Sequence, residues 1–198
     1  MLNLKHSIIL ASNSRARSMM LENAGLKFDK IPADIDENKI LKLLKSEQNS
    51  PEKIALELGK QKALHVSNNY PDAYVIGSDQ ILECDGTLFQ KAENIDQART
   101  KLKTLRGKTH HLISSIAVAK NKEIIWHDSD IAKLTMHNFS DEFLEHYLEL
   151  AKDDITSCVG AYAFERQGAW LFESIDANYF TILGMPLLPL LAFLKKED

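Results

Sequence analysis

Residues 74–90 read YVIGSDQILECDGTLFQ and contain an apolar strand, a two-residue turn and the start of a second strand. The dipeptide Asp85-Gly86 favours a type I′ turn, because both central residues of that turn need a positive φ. The sequence therefore predicts a β-hairpin whose register places Gln80 opposite Lys91. Asp79 then lies within one residue of Lys91, on the opposite face of a regular ladder. A bulge or a strand end is needed if these two charges are to share a site.

Hydrophobic patterning outside this hairpin predicts an alternation of strands and helices. Further strands are expected at residues 8–11, 28–33, 112–119 and 124–136, and around Ala161 and Trp170-Leu171-Phe172. Helices are expected at residues 15–24, from Ser50-Pro51 onward, at 95–105 and 140–150, and after Gly184-Met185-Pro186. This mixture predicts an α/β or α+β fold built on a mixed sheet.

The composition is that of a globular protein of 198 residues, with 44% hydrophobic and 26% charged residues. These proportions exclude a disordered or collagen-like chain. A formal net charge of −4 argues against a general nucleic-acid binder, which carries a basic face. Two cysteines, and no apolar run long enough for a signal peptide or a membrane span, predict a cytoplasmic protein that does not enter membranes. The length predicts one domain or two tightly joined lobes.

A polar loop, Ser12-Asn13-Ser14, joins the first predicted strand to the first helix, whose opening turn contains Arg15 and Arg17. A helix N-terminus presents free N–H groups and the positive end of the helix dipole, so hydroxyls and an arginine there suit a phosphate group. The alternative is that Ser14 only caps the helix and the arginines are solvated. No Walker-type or dinucleotide glycine motif is present, which leaves P-loop and Rossmann interpretations unsupported.

Lys62 is an unusual residue in the predicted helix that begins at Ser50-Pro51. At 100° per residue it falls on a face of apolar or small side chains, namely Ala55, Leu58, Gly59 and Val66. One interpretation is a lysine at the edge of that face whose ammonium reaches solvent. The other is a lysine directed into an anion-binding cleft.

Two carboxylates stand out as candidates for acid–base or metal chemistry. Asp79 lies inside an apolar strand, where a carboxylate is costly unless it binds a metal, accepts hydrogen bonds or acts as a base. Asp36-Glu37 is an acidic pair on an extended segment, so at most one of the two is expected to be functional. The alternatives are that Asp79 caps backbone amides at a sheet end, and that Asp36-Glu37 is a solvated loop that caps the next helix.

The histidines and cysteines predict no nucleophilic or metal centre. His110 and His111 are adjacent and would point to opposite sides of a strand, and His137 and His146 lack a partner at metal-ligand spacing. Cys84 and Cys158 have no histidine arrangement typical of a thiol nucleophile.

Taken in order, these segments resemble the Maf family of nucleoside triphosphate pyrophosphatases nearly end to end. The similarity is carried by LASNSRAR (10–17), IPADIDE (31–37), LELGKQKA (56–63), VIGSDQILECDGTLFQKA (75–92), TLRGKTHHLISSIAVA (104–119), VGAYAFERQGAWLFESIDANYF (159–180) and ILGMPLLPLLAFL (182–194). Each motif alone is weak, but their order and spacing are specific. The resemblance implies one domain over residues 1–198, with two lobes of an elongated mixed sheet around a nucleotide cleft, similar to the inosine triphosphatase fold. It also implies hydrolysis of a nucleoside triphosphate to the monophosphate and pyrophosphate with Mg²⁺ or Mn²⁺, and makes a homodimer plausible.

The resemblance also implies roles for individual residues. The phosphate-contacting loop of the family would correspond to Ser12, Ser14 and Arg17. Its catalytic set would correspond to Asp79, Glu37, Lys62 and Lys91, with Asp79 as the essential acid and Asp79 and Glu37 as the metal ligands. The two lysines would neutralise charge on the leaving pyrophosphate.

Three stretches depart from the family pattern. Ser14-Arg15-Ala16-Arg17 stands where many members have Ser-Pro-Arg-Arg, Gln90-Lys91-Ala92 replaces Gly-Lys-Pro, and Tyr179-Phe180-Thr181 replaces Tyr-Ser-Asn. No proposed catalytic charge is lost. The first departure bears on substrate choice, because one arginine of a pair is missing.

Gln80 and Glu165 resemble the subfamily that acts on 7-methyl-GTP rather than dTTP or UTP. A carboxylate such as Glu165 can accept hydrogen bonds from the N1–H and N2–H₂ edge of guanine, and Trp170 or Phe164 could stack on the base. The alternative for Glu165 is a surface strand residue beside Arg166. For the whole chain, the alternative is a nucleotide-binding regulator without turnover, linked to septum formation or cell division.

Overall fold

The hairpin predicted from residues 74–90 is present and belongs to a mixed β-sheet. In the computed structural model, which describes residues 6–152 and 154–197 of the predicted 1–198 domain, the strands are β1 (Ile8–Leu10), β2 (Asp29–Lys30), β3 (Tyr74–Cys84), β4 (Thr87–Phe89), β5 (Thr109–Lys120), β6 (Glu123–Met136) and β7 (Phe172–Asp176). Their hydrogen-bonded order is β2-β1-β3-β5-β6-β7, and β4 pairs with β3. Strand β1 is parallel to β2 and β3, whereas β4 and β7 are antiparallel to their partners. The predicted mixed sheet is confirmed.

The hairpin turn has the predicted chemistry. Asp85 and Gly86 have φ values of 50° and 77°, and Cys84 pairs with Thr87 across the turn. The predicted register is confirmed, because Leu82 pairs with Phe89 and Cys84 with Thr87. The ladder does not extend to the predicted pair of Gln80 and Lys91, because β4 ends at Phe89 and Lys91 lies in the loop beyond it. The strand end that the sequence required therefore occurs before Lys91.

The helices of the described residues are α1 (Arg15–Asn23), α2 (Glu37–Ser46), α3 (Pro51–Ser67), α4 (Ile95–Leu105), α5 (Asp141–Ala151), α6 (Asp154–Ser157), α7 (Tyr179–Ile182) and α8 (Leu187–Lys196), with a 3₁₀ helix at Gln167–Leu171. Helix α3 begins as predicted, because the Ser50 side chain accepts a hydrogen bond from the Lys53 N–H and Pro51 occupies the first turn. Ser140 caps α5 in the same way.

The chain divides into two compact units, each with residues from β3, β5 and β6. The first runs up to Gln80 and includes Ile113–Asp130 and the chain from Gly184 onward; the second contains Ile81–Leu112 and Ile131–Leu183. Part of the core of the first unit joins β1 and β3 to α3, through Ile9, Ala11, Ala63, Val66 and Val75. The core of the second unit joins α4 and α5 to the sheet, with members such as Leu82, Leu102, Leu134, Leu144 and Leu148.

Three strand predictions need correction. Ala161 is not in a strand: it is buried with φ 59°, in the left-handed region and outside the range of regular β-strands. Trp170 and Leu171 belong to the 3₁₀ helix, and β7 starts only at Phe172. The strand predicted at residues 28–33 shortens to the two residues of β2.

Both cysteines, Cys84 and Cys158, are free thiols. Among the helices of residues 6–152 and 154–197, none combines the length and the apolar character that a membrane crossing requires.

His110 and His111 lie on opposite sides of β5, as predicted. His110 is fully buried with Nε2 2.7 Å from the Tyr162 hydroxyl oxygen, whereas His111 Nδ1 lies 3.0 Å from Glu83 Oε2. His110 Nδ1 has no hydrogen-bond partner among the described residues. Burial, with a smaller contribution from the charge of His111, lowers the pKa of His110 to about 4.

The neutral state of buried His110 predicts acid sensitivity. Between the ordinary His pKa of 6.5 and about 4, the unfolded chain binds a proton that the folded chain does not. The free energy of unfolding should therefore fall by about 3 kcal/mol as the pH drops through this range. Chemical denaturation at pH 7 and pH 4.5 measures the loss. His110→Gln, which cannot titrate, should show a clearly smaller loss, and an equal loss in both proteins would contradict the prediction.

Candidate functional site

Lys62 connects the two candidate carboxylates of the first unit. Its Nζ lies 2.7 Å from Oδ1 of Asp79 on β3 and 2.9 Å from Oε2 of Glu37 at the start of α2. Lys62 and Asp79 are buried, whereas the Glu37 side chain is 52% exposed. The ammonium therefore points at carboxylates and does not reach past the helix edge into solvent.

Close packing of α3 on β3 brings Lys62 and Asp79 together. A Cβ atom on Gly77 would lie 2.2 Å from the Gly59 carbonyl oxygen and 2.6 Å from the Ala63 nitrogen, so only glycine permits this approach. Lys62 lies between Gly59 and Ala63 on the helix, and Asp79 lies two residues after Gly77 on the strand. Loss of one partner of such a buried ion pair typically costs about 3–5 kcal/mol, because the other charge is left without compensation.

The two residues of the acidic pair Asp36-Glu37 make different contacts. Asp36 is the N-cap of α2, and its Oδ1 accepts a hydrogen bond from the Lys39 N–H at 2.9 Å. Glu37 is the first helical residue and forms the ion pair with Lys62. The predicted helix cap is therefore confirmed for Asp36, whereas the functional role of Glu37 stays a prediction.

The loop before α1 folds around its two serines. Ser14 is the N-cap of the helix, and its Oγ accepts a hydrogen bond from the Arg17 N–H at 3.3 Å. The Ser12 Oγ accepts from the Ser14 N–H at 3.1 Å and from Nη1 of Arg17 at 3.3 Å. Arg15 is exposed, whereas Arg17 is buried. The capping alternative holds for Ser14, but the alternative of solvated arginines is wrong for Arg17.

Arg17 links this loop to the strand that carries Asp79. Its Nε donates to the Gly184 carbonyl at 2.9 Å, and its Nη1 donates to the Ser78 carbonyl at 2.8 Å. Burial lowers the pKa of Arg17, while the negative charges of Asp79 and Glu37 oppose that shift. The guanidinium is therefore within electrostatic reach of both carboxylates. Its hydrogen bonds to the described residues use Nε and Nη1, which leaves Nη2 for a ligand.

Gln80, Ser78 and Gly184 complete this part of the first unit. Gln80 Nε2 donates to Ser114 Oγ at 3.0 Å, and Ser78 Oγ lies 3.0 Å from the Gly184 carbonyl oxygen. Gly184 has φ 99°, and a Cβ there would lie about 3.6 Å from both the Arg17 guanidinium and Gln80 Oε1. The sequence analysis assigned no role to Ser78, which lies in the candidate segment of Asp79, or to Gly184. The sequence features that could have indicated them are a small hydroxyl residue directly before Asp79 and a glycine directly before Met185-Pro186.

The remaining predicted site residues, Lys91 and Glu165, belong to the second unit. Lys91 is exposed in the loop after β4, and Glu165 is exposed in a turn rather than a strand. Both are close enough to Cys158 to affect it electrostatically: burial raises the pKa of that thiol, Glu165 raises it further and Lys91 lowers it. Arg166 binds Asp154 through two contacts of 3.0 and 3.1 Å.

The two aromatic candidates for base stacking differ in exposure. Trp170 is 76% exposed. Phe164 is half-buried and packs against Phe172 and Tyr179, with ring centroids 5.6 and 6.3 Å away. Of the two, Trp170 has the larger free surface for a planar ligand.

The donor set of Glu37 and Asp79 fits a divalent cation shared with phosphate. Each carboxylate places one oxygen on Lys62 and has a second oxygen. Mg²⁺ is usually bound by one or two carboxylates together with substrate phosphates and waters. Within residues 6–152 and 154–197, no group of three or more His, Cys, Asp or Glu side chains forms a ligand cluster on its own. The arrangement is therefore suited to a metal that completes its coordination with phosphate oxygens.

Known proteins similar to this chain cover nearly its whole length. A nucleoside triphosphate pyrophosphatase from Bradyrhizobium diazoefficiens is 47% identical over 194 residues, 98% of this chain and 95% of the relative. One from Granulibacter bethesdensis is 43% identical, covering 96% and 97% of the two chains. A 7-methyl-GTP pyrophosphatase from Brucella abortus is 42% identical and covers 96% of each chain.

The family model described as Maf-like protein matches residues 7–197. This match spans both compact units and every candidate site residue. Together with relatives of 42–47% identity over nearly the full length, it establishes that the chain belongs to the Maf family.

Proposed function

We propose that this protein hydrolyses nucleoside triphosphates to nucleoside monophosphate and pyrophosphate. The observation that carries the proposal is the buried Lys62–Asp79 ion pair, with Glu37 on the same ammonium and the Arg17 guanidinium within electrostatic reach. Carboxylates and cations concentrated in this way suit a reaction in which a polyphosphate binds and a water molecule must be deprotonated. Relatives whose names state this activity support the same assignment.

In the proposed reaction, Asp79 is the general base. It accepts a proton from the attacking water, whose oxygen forms a bond to the α-phosphorus. The bond between the α-phosphorus and the bridging oxygen breaks, and that oxygen leaves with pyrophosphate. Lys62 keeps the Asp79 carboxylate oriented through the 2.7 Å contact to Oδ1. A base held in this way needs little reorganisation at the moment of reaction.

Positive charge and N–H donors bind the phosphates in this proposal. Arg17 offers Nη2, and the start of α1, with Ser12 and Ser14, offers hydroxyl and main-chain donors. Lys91 would neutralise charge on the leaving pyrophosphate. This role is proposed from the position of Lys91 in the sequence motif after the hairpin.

Glu37 and Asp79 would hold the divalent cation, Mg²⁺ or Mn²⁺, together with phosphate oxygens. When bound there, the cation supplies neutralisation of phosphate charge. Lys62 keeps the two carboxylates together, since both accept from its ammonium.

For the base, we propose a methylated or otherwise modified guanine, with 7-methyl-GTP as the leading substrate. Two observations support this proposal: Gln80 and Glu165 resemble the residues of that subfamily, and a protein named 7-methyl-GTP pyrophosphatase is 42% identical to this chain. Glu165 is exposed, so its carboxylate can accept from the guanine edge and complement the positive charge of the methylated ring. Exposed Trp170, five residues later in the chain, offers a stacking surface.

Glu165→Ala should therefore change substrate selectivity more than catalysis. A charged hydrogen bond of this kind is worth about 1.5–3 kcal/mol, so the ratio of kcat/KM for 7-methyl-GTP over UTP should fall by about 10- to 100-fold. Steady-state kinetics with both nucleotides measures the ratio. Glu149→Ala, on the exposed side of α5, is the matched control and should leave it unchanged. An unaltered ratio in the Glu165 variant would remove this residue from base recognition.

We further propose a cytoplasmic location and a homodimer. The two free cysteines are consistent with a reducing compartment. The net charge of −4 does not favour nucleic acid as a partner. Sedimentation of the purified chain tests the dimer.

Pyrophosphate release from a panel of nucleoside triphosphates tests the proposed function. The panel contains 7-methyl-GTP, GTP, UTP, dTTP and ITP, each assayed with Mg²⁺, with Mn²⁺ and with a chelator. Metal-dependent turnover of one or two nucleotides supports the proposal. Absence of turnover with every nucleotide and metal, while nucleotides raise the melting temperature, would instead support a binding protein without catalysis.

A further inference from the structure

A lysine without a role in the proposed reaction is buried in the second unit. Lys101 lies on α4, is 7% exposed, and donates hydrogen bonds to the main-chain carbonyls of Gln90 and Val159, the latter at 2.8 Å. Both acceptors are neutral, and burial lowers the pKa of this lysine to about 8.

An apolar residue would be the simpler choice at this position. The neighbouring buried positions of α4 are Ala98, Leu102 and Leu105, which belong to the core of the second unit. Burying an ammonium costs free energy that a methionine or leucine would not incur. However, neither methionine nor leucine could donate hydrogen bonds to the two carbonyl groups that Lys101 contacts.

The two carbonyls belong to the segments that carry the predicted site residues of this unit. Gln90 immediately precedes Lys91 in the loop between β4 and α4. Val159 follows Cys158 and precedes the turn that contains Glu165. The charges of Lys91 and Glu165 both affect the pKa of the Cys158 thiol. Lys91 and Lys101 also line one cavity of about 490 Å³. Lys101 therefore ties both segments to one helix.

We propose that Lys101 is a positioning residue that holds the Gln90 segment so that Lys91 is correctly placed for the departing pyrophosphate. This inference rests on the catalytic role proposed for Lys91. Lys101 acts through the backbone, because its ammonium faces two carbonyl groups. If the loop between β4 and α4 lost the hydrogen bond from Lys101 to the Gln90 carbonyl, Lys91 could move. A displacement of about 1 Å can lower a reaction rate by about 100-fold.

A double-mutant cycle with Lys91 tests the proposal. Lys101→Met should lower kcat by about 10- to 100-fold with little change in KM, because the charge of Lys91 is used mainly in the transition state. In a Lys91→Ala background, the same substitution should change kcat by less than about twofold, since the group through which it acts is gone. Lys103→Met is the matched control on the exposed side of α4, where Lys103 pairs with Asp141, and should retain full activity.

The outcomes separate this inference from the proposed function. If Lys91→Ala lowers kcat but Lys101→Met does not, or if the two effects multiply, the positioning role is overturned and the proposed function stands. If Lys91→Ala itself has no effect, the role of Lys91 fails and this inference fails with it. Thermal melts accompany each variant. If the Lys101→Met variant does not melt cooperatively, Lys101→Gln replaces it in the double-mutant cycle, and the same outcomes support or overturn the positioning role.

Discussion

Asp79→Asn is expected to lower kcat by about 10²–10⁴-fold, the range that a general base usually contributes. The amide cannot take a proton from water, although its oxygen can still accept from Lys62 in place of Oδ1. The free energy of unfolding should fall, because the buried ammonium loses one of its two negative partners. The fold should nevertheless persist, because the side-chain shape, this hydrogen bond and the Glu37–Lys62 ion pair are retained. Pyrophosphate release at saturating nucleotide, together with a thermal melt, measures both effects.

Asp85→Asn is the matched control for this variant. Asp85 lies in the turn of the same hairpin, its carboxylate is exposed and pairs with Lys108, and asparagine suits its positive φ. Its turnover should equal that of the parent protein. Turnover of Asp79→Asn within a few-fold of the parent would remove Asp79 as the base.

Gly77→Ala is expected to have the largest effect on stability. The added Cβ would lie 2.2 Å from a backbone oxygen of Gly59 and 2.6 Å from the backbone nitrogen of Ala63, and neither atom belongs to a flexible side chain. Helix α3 must then move away from β3, which should cost about 3 kcal/mol or more. Denaturant titration of the purified variant measures the loss, and insoluble expression would agree with it.

Gly59→Ala tests whether the effect comes from the collision rather than from the residue type. A Cβ on Gly59 meets its nearest neighbour, the Gly77 carbonyl oxygen, at 3.6 Å, which is ordinary contact. Alanine in a helix interior also gains about 0.5–1 kcal/mol over glycine. The Gly59 variant should therefore be at least as stable as the parent. Equal stability of the Gly77 variant would contradict the close packing of α3 on β3.

The parts of the fold that depend on a few adjacent residues could be predicted from the sequence. The hairpin at Asp85-Gly86 and the cap at Ser50-Pro51 follow from the φ preferences and side-chain hydrogen bonds of a few adjacent residues. The buried face of α3, including Lys62, follows from helical periodicity. These local rules do not depend on where the rest of the chain lies.

The partners of the charged residues could not be predicted from the same rules. Arg17 binds the carbonyl of Gly184, 167 positions later in the chain, and no local pattern encodes that contact. Lys62 could equally have reached solvent, because periodicity gives the face of a helix but not what packs on it. Ala161 failed as a strand because its apolar neighbours, Tyr162 and Ala163, are buried in an irregular segment, and burial alone does not distinguish the two.

Product analysis with Mg²⁺ shows whether the bond between the α- and β-phosphates is the one hydrolysed and whether its hydrolysis depends on Asp79. The parent protein and Asp79→Asn are incubated with 7-methyl-GTP and with the best substrate of the nucleotide panel, and all phosphate-containing products are quantified. The predicted result is nucleoside monophosphate and pyrophosphate in equal amounts from the parent, and about 10²–10⁴-fold slower formation of both by the Asp79 variant. Nucleoside diphosphate with inorganic phosphate, or equal product from both proteins, would contradict it.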